Sequence, residues 1–194
     1  MKLLFISNYE PWKGIENAKT PLHHLFGIYD MIESYNVKEQ KAAIKDIYGG
    51  GEIHFLKCNS SLTSALKVYL LSFKYDYIYD TICVVSKYIS ILNRFRFLKP
   101  KLITIYHHPP FKKILKYGKS DLSIFFSSQL LEEAKKSIKD NRNMIVNEWY
   151  PDNSWYDSYK LKGNHKNFSY DFCDNGKTNR NHKLLIEATR ELDN

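Results

Sequence analysis

With 194 residues, 43% of them hydrophobic and 26% charged, the chain can bury one substantial α/β core and a little more, an ordinary balance for a soluble globular protein. Its net charge of +8 points to anionic partners such as nucleic acid, phosphorylated metabolites or an anionic membrane surface. Cys58, Cys83 and Cys173 are odd in number and far apart, which excludes a disulfide framework and suits reduced thiols in a cytoplasmic setting.

Lys2 to Tyr9 is the first predicted strand, an apolar run (Leu3, Leu4, Phe5, Ile6) of the kind buried on both faces of a parallel sheet. The run is too short for a secretory h-region, and no apolar run elsewhere approaches a transmembrane span. Asn8 to Pro21 reads as a polar loop containing Trp12, Lys13 and Gly14. It lacks G-x-G-x-x-G, so no dinucleotide fingerprint is present. Thr20-Pro21 then opens a predicted helix, with Pro at its first position and Leu22, Leu25, Phe26 and Tyr29 at helical spacing.

Residues 37–48 are mixed and basic, a second helix or an ordered insertion. Gly49-Gly50-Gly51 breaks the chain, and 52–58 alternates Ile53 and Phe55 with His54 and Lys57 as a strand. Asn59-Ser60 is the expected cap of a helix in which Leu62, Leu66, Tyr69, Leu70 and Phe73 share a face. Residues 81–85 form a further predicted strand. Ser86 opens the next helix, with Tyr88, Ile91, Leu92 and Phe95 on one stripe. Residues 101–106 are another buried strand, ending in His107-His108-Pro109-Pro110. Residues 121–127 add a strand, Ser128 caps a helix with Leu130, Leu131, Ala134 and Ile138, and 144–148 is a last short strand. This β-α alternation predicts a Rossmann-like, doubly wound parallel sheet over 1–150. The polar stretch 151–167 is the expected linker.

The final stretch, 168–194, reads as strand, turn and helix. Phe168, Tyr170 and Phe172 alternate with Ser169 and Asp171, and Asp174-Asn175-Gly176 breaks the strand. Leu184, Leu185, Ala188 and Leu192 form a helical stripe. Lys177, Arg180 and Lys183 surround the helix start, where free N–H groups and the helix dipole favour an anion; the alternative is a solvated basic turn.

In open α/β sheets ligands bind beyond the carboxyl ends of the strands. That places Asn8 to Gly14, Ser86-Lys87, His107-His108, Ser127-Ser128 and Glu148 at the expected cleft. A histidine there can hydrogen-bond a hydroxyl or move a proton. The competing reading has one of His107 and His108 capping the strand and the other exposed. His23 and His24 lie on different faces of their predicted helix and are further cleft candidates. Neither a metal-ligand spacing, a complete Walker A loop nor a G-x-S-x-G elbow occurs, so no metal or other cofactor is expected. Phe111-Lys-Lys-Ile-Leu-Lys-Tyr117 combines apolar residues with Lys112, Lys113 and Lys116. It suits peripheral docking on anionic lipid at the inner face of a membrane, and equally an ordinary amphipathic surface turn.

The run Gly176-Lys177-Thr178-Asn179-Arg180-Asn181-His182, followed by Leu184-Leu185-Ile186-Glu187-Ala188, resembles the opening of the donor-binding domain of glycosyltransferase family 4. Those enzymes have the GT-B fold, two Rossmann-like domains facing across a cleft. The resemblance implies that 1–150 is the acceptor-side domain and that 168–194 is the first strand and helix of a truncated donor domain. Two full domains need roughly 350 residues. It implies transfer of a sugar, with retention, from a nucleotide-sugar to a glycan or lipid-linked acceptor, without a bound metal. Gly176, Lys177 and Arg180 match the positions that reach the donor diphosphate, and His107 or His108 matches a strand-end histidine on the donor sugar. Trp12, Lys13 and Gly14 lie at the family's first loop, where they would contact acceptor or phosphate, although the glycine pair common there is absent; Ser86 is a cleft candidate by its place beyond a strand end. The alternative is a non-catalytic Rossmann-like module that binds nucleotide or nucleic acid. A third is a structural partner completed by another chain.

Overall fold

In the computed structural model, residues 1–17, 20–36, 38–45, 49–81, 83–108, 116–137 and 143–148 are described. All belong to the first of the chain's two units, Met1–Tyr156. The predicted linker and the predicted opening of a second domain, with Gly176, Lys177 and Arg180, lie outside the described residues, as do Lys112 and Lys113.

The apolar run that begins the chain forms β1 (Lys2–Ser7). Both of its faces are covered: Leu3 and Phe5 point into one core cluster, Leu4 and Ile6 into another. A strand buried on both faces has no need of polar alternation, which is why its sequence shows none. Strands β4 (Gly51–Lys57) and β5 (Tyr77–Asp80) flank it, both parallel to it. Then come β6 (Lys101–Tyr106), β7 (Leu122–Phe125) and β8 (Met144–Val146), all parallel. With β2 (Ile32–Asn36) and β3 (Lys41–Ile44) the protein is an α/β structure on an eight-stranded sheet, in the order β2-β3-β4-β1-β5-β6-β7-β8.

Four α-helices are described. α1 (Pro11–Glu16) and the 3₁₀ turns Leu22–Leu25 and Tyr29–Met31 follow β1. Trp12, Leu25, Phe26 and Ile28 of this stretch pack with Phe5 and Phe55. On the opposite face lie α2 (Leu62–Ser72) and α3 (Ser86–Arg94), with Ala65, Val68, Val85 and Ile89 against Leu4, Ile6 and Ile78. α4 (Ser128–Lys135) covers Tyr106 and Phe125 through Ala134.

Several expectations are corrected. The sheet is mostly rather than wholly parallel, because the segment expected as a helix or insertion at 37–48 contributes β3 of an antiparallel hairpin with β2. The open edge of β4 takes up the hydrogen-bonding groups of Lys41–Ile44, and Ala42 and Ile44 alternate into the core. Pairing there outweighs the modest helix preference of Ala42-Ala43. The helix expected after Pro21 is a pair of 3₁₀ turns. Phe26 at φ +53° and Gly27 at φ +83° turn the chain out of the helical region between them.

The cap of α2 is Ser61, whose Oγ accepts the Ser64 N–H at 3.1 Å, one residue past the expected Asn59-Ser60. The larger surprise is which side of α2 faces inward. Ala65, Val68 and Ser72 are buried, while Leu62, Leu66, Leu70 and Phe73 are at least half exposed. α3 repeats the reversal: Ser86, Ile89 and Ser90 are buried, and Ile91 and Phe95 face solvent. Small residues let these helices approach the crowded sheet, so the bulky stripe is turned outward.

At the carboxyl end of β5 stands Asp80, fully buried. Its Oδ1 accepts the Val84 N–H at 2.8 Å, and its Oδ2 accepts the Val85 and Ser86 N–H groups at 2.9 and 2.8 Å and the Ser86 hydroxyl at 2.7 Å. Residue Val85, at the N-cap of α3, has no side-chain oxygen to offer. Asp80 supplies it from the sheet. Burial pushes the Asp80 carboxyl up, and these donors pull it back down. Asp80→Asn turns one acceptor oxygen into a donor facing donors. It is expected to cost about 3 kcal/mol, lowering Tm by about 6–12 °C in thermal unfolding followed by circular dichroism; an unchanged Tm would contradict the role.

Candidate functional site

The parallel strands follow the order β4-β1-β5-β6-β7-β8. The chain winds one way from β1 to β4 and the other way from β5 onward. The carboxyl ends of β1 and β5 therefore part at a switch point, which is where open α/β sheets form their ligand crevice.

Three residues build this place. Thr81, directly after β5, directs both its N–H and its Oγ1 to the Ile6 carbonyl of β1, at 3.1 and 2.9 Å. Its own carbonyl lies 2.7 Å from Nε2 of His107, which follows β6. Because a carbonyl only accepts, the His107 proton sits on Nε2 and Nδ1 keeps its lone pair. The ring is held edge-on by Phe26, 4.9 Å between centroids, and by Phe126 at 4.4 Å. Burial in this aromatic setting depresses its pKa to about 4, with the Thr81 carbonyl opposing and the neighbouring His108 and His24 adding to the depression. At neutral pH His107 is thus an uncharged imidazole of one tautomer, suited to accept a hydrogen bond and too weak a base to remove a hydroxyl proton.

A second imidazole stands nearby. Tyr9, two residues beyond β1, lies with its phenol oxygen 2.7 Å from Nδ1 of His24. Burial pushes the Tyr9 hydroxyl up to about 12, so it remains protonated and donates, leaving the His24 proton on Nε2. Burial and then the charge of His23 lower the His24 pKa. Both histidines are thus neutral, His107 with its lone pair on Nδ1 and His24 with its proton on Nε2. The Tyr79 hydroxyl donates to the Phe26 carbonyl at 2.6 Å, anchoring the turn that carries His24 and Phe26.

The residues expected at this cleft are only partly gathered by the fold. His107 is at the switch point, and His108 beside it is exposed. Trp12 is 2% exposed and packs its ring against Phe5 and Phe55, in the core rather than on a cleft. Lys13 is on the surface of α1 and pairs with Glu10 at 2.8 Å. Gly14 is where Thr20 packs so closely that a Cβ would collide with its side chain. Ser86 is wholly buried, its hydroxyl committed to Asp80 and 2.9 Å from that of Thr104. Lys116 is exposed and lies near the Tyr117 ring.

Tyr9, Phe26, Thr81 and Phe126 were not among the residues expected to build the site. The available signal was position: each lies within a few residues of a strand end or beside the histidines. Ser61, Asp80 and Ser127 satisfy the helix N-termini on this side, Ser127 by accepting the Leu130 N–H at 3.2 Å. Among the described residues no group of three or more His, Cys, Asp or Glu side chains is placed to hold a metal ion. Cys58 and Cys83 are free, and burial pushes the Cys83 thiol up to about 12. Comparison of the chain with family models, curated proteins and solved structures finds no match.

The depressed pKa of His107 has a consequence for stability. The unfolded chain binds this proton near pH 6.5 and the folded one only near pH 4. The stability it contributes is complete above pH 6.5 and is lost as pH falls toward 4. The loss is expected to reach about 2–3 kcal/mol. Thermal unfolding across this window should show a steep fall in Tm for the native protein and a shallower one for His107→Phe, with a remainder from His24. Equal slopes would show that His107 is not held neutral.

Proposed function

We propose that this chain is the acceptor-side, Rossmann-like portion of a retaining glycosyltransferase that uses a nucleotide-sugar donor, with its cleft at the β1/β5 switch point. The observation that carries the proposal is His107. A neutral imidazole with a fixed Nδ1 lone pair, seated between aromatic rings beyond the strand ends, is chemically suited to accept from a sugar hydroxyl while apolar surface meets the sugar ring. His107 positions the sugar; with a pKa near 4 it does not serve as the base. His108 is the second strand-end candidate.

The remainder of the proposal rests on the resemblance of Gly176 to Ala188 to the donor-domain opening of glycosyltransferase family 4. In it, Gly176, Lys177 and Arg180, with the N–H groups of the helix that the sequence predicts there, stabilise the departing diphosphate. The C1–O bond to the diphosphate breaks with its electron pair left on the diphosphate oxygen; the acceptor, a glycan or a lipid-linked hydroxyl, forms the new C1–O bond on the same face and gives its proton to that departing oxygen. Lys13 is an accessible residue for acceptor contact, whereas Trp12 and Ser86 serve the fold.

Saturation-transfer NMR with a panel of nucleotide-sugars tests this reading. The native chain should saturate the sugar protons of one donor. His107→Phe, which preserves the aromatic packing, should weaken that donor by about tenfold, the worth of one hydrogen bond to a buried acceptor. No signal from any nucleotide-sugar, or an unaltered one in the variant, would overturn it. Retention of an oligonucleotide that falls steeply with salt would instead favour the nucleic-acid module.

A further inference from the structure

The outward faces of α2 and α3 form a surface that neither the core nor the switch-point site uses. Leu62, Leu66, Leu70 and Phe73 recur at helical spacing along α2, and each is 50% exposed or more. Phe95 and Phe97, at and beyond the end of α3, are each 63% exposed. The two helices run side by side in the same direction: Lys87 Nζ reaches the Ser60 carbonyl at their starts, 3.5 Å, and Lys99 Nζ reaches the Phe73 carbonyl at their ends, 3.2 Å. Both bury their opposite sides in the same core cluster. The exposed residues therefore share one face, directed away from the sheet. Apolar surface gathered on one face in this way marks an interaction site.

Charge identifies the occupant. Between 59 and 75, and again between 86 and 101, the sequence contains no Asp or Glu, although the chain has 21 of them. The charged residues in these stretches are all cations, among them Lys67, Lys74, Lys87, Arg94, Arg96 and Lys99. Asp121, which Asn93 of α3 contacts, is taken up by the Leu102 N–H at 2.8 Å and faces Lys101 at 3.6 Å. The Arg94 guanidinium donates to the Lys116 carbonyl, so Lys116 and exposed Tyr117 extend the same cationic border. A second copy seated here would set cation against cation. Leu and Phe side chains at the centre with long basic side chains at the rim are the composition of helices that lie in an anionic membrane interface.

We propose that the α2/α3 face docks this protein on an anionic lipid bilayer, with Leu66, Leu70, Phe73 and Phe95 entering the interface and the flanking lysines and arginines meeting the headgroups. The mode is peripheral, since among the described residues no helix is long and apolar enough to cross a membrane. This inference is independent of the proposed transferase activity.

Vesicle co-sedimentation of the full chain tests it. Pure phosphatidylcholine vesicles are compared with vesicles in which about a third of the lipid is phosphatidylserine. The native chain should partition to the anionic vesicles at least about tenfold more strongly, and raising the salt should reduce the difference. Leu66→Gln with Leu70→Gln alters exposed positions and should leave Tm unchanged while abolishing sedimentation. Lys67→Gln with Lys74→Gln should weaken it by about fivefold for each charge removed. Equal sedimentation with both vesicle types, none with either, or undiminished sedimentation of the Leu66/Leu70 variant would overturn the proposal. So would a dimer in size-exclusion chromatography that the Leu66/Leu70 variant dissociates, since that would assign the face to a second copy.

Discussion

A single buried carboxylate holds the working end of this sheet together. Asp80 closes β5, receives three backbone N–H groups and a hydroxyl from the start of α3, and thereby sets where Thr81 emerges. A buried acceptor left unfilled costs far more than a formed hydrogen bond contributes, so the geometry around it is narrowly specified. Thr81 is in turn tied to β1 through Ile6 and presents its carbonyl to His107. The tautomer of His107 thus depends on a carboxylate that never touches it. The chain of contacts runs across three neighbouring strands, β1, β5 and β6, at the switch point between them.

The site and the two faces of the domain follow one packing rule. Parallel strands crowd their helices, so α2 and α3 present Ala65, Val68, Ser86 and Ser90 to the sheet. Bulk that could not fit inward was carried outward, giving the apolar and cationic face across α2 and α3. Among the described residues the cover on the other side of the sheet is irregular, a short helix and two 3₁₀ turns, and its aromatic residues supply volume in place of regular helix. Phe26 belongs to that cover and also to the wall around His107. Residues of the cover are therefore residues of the site, and a change in one is felt in the other.

The fold class was legible because its signal is local. Apolar runs such as Leu3 to Ile6, uninterrupted, and Leu122 to Phe126, broken only by Ser123, read as strands with both faces covered. The hairpin β2–β3 was hidden, since its strands are short and Ala42-Ala43 favours helix over strand; the free edge of β4 decided it. His107 was readable from its place after a strand. Tyr9 and Thr81 were not, because their partners are 15 and 26 residues away in the chain. Trp12 and Ser86 were read as cleft residues by position, whereas burial placed them in the core.

What the sequence by itself determined is the alternation of elements, the all-cationic composition of 59–75 and 86–101, and the presence of histidines after β6, all properties of neighbouring residues along the chain. Only the tertiary structure decided which face of each helix turned inward, that Asp80 would serve as the cap Val85 cannot provide, and that His107 would be neutral with its proton on Nε2. Each of these is a choice between competing burials made by groups distant in sequence, and its outcome depends on where the strands stand relative to one another.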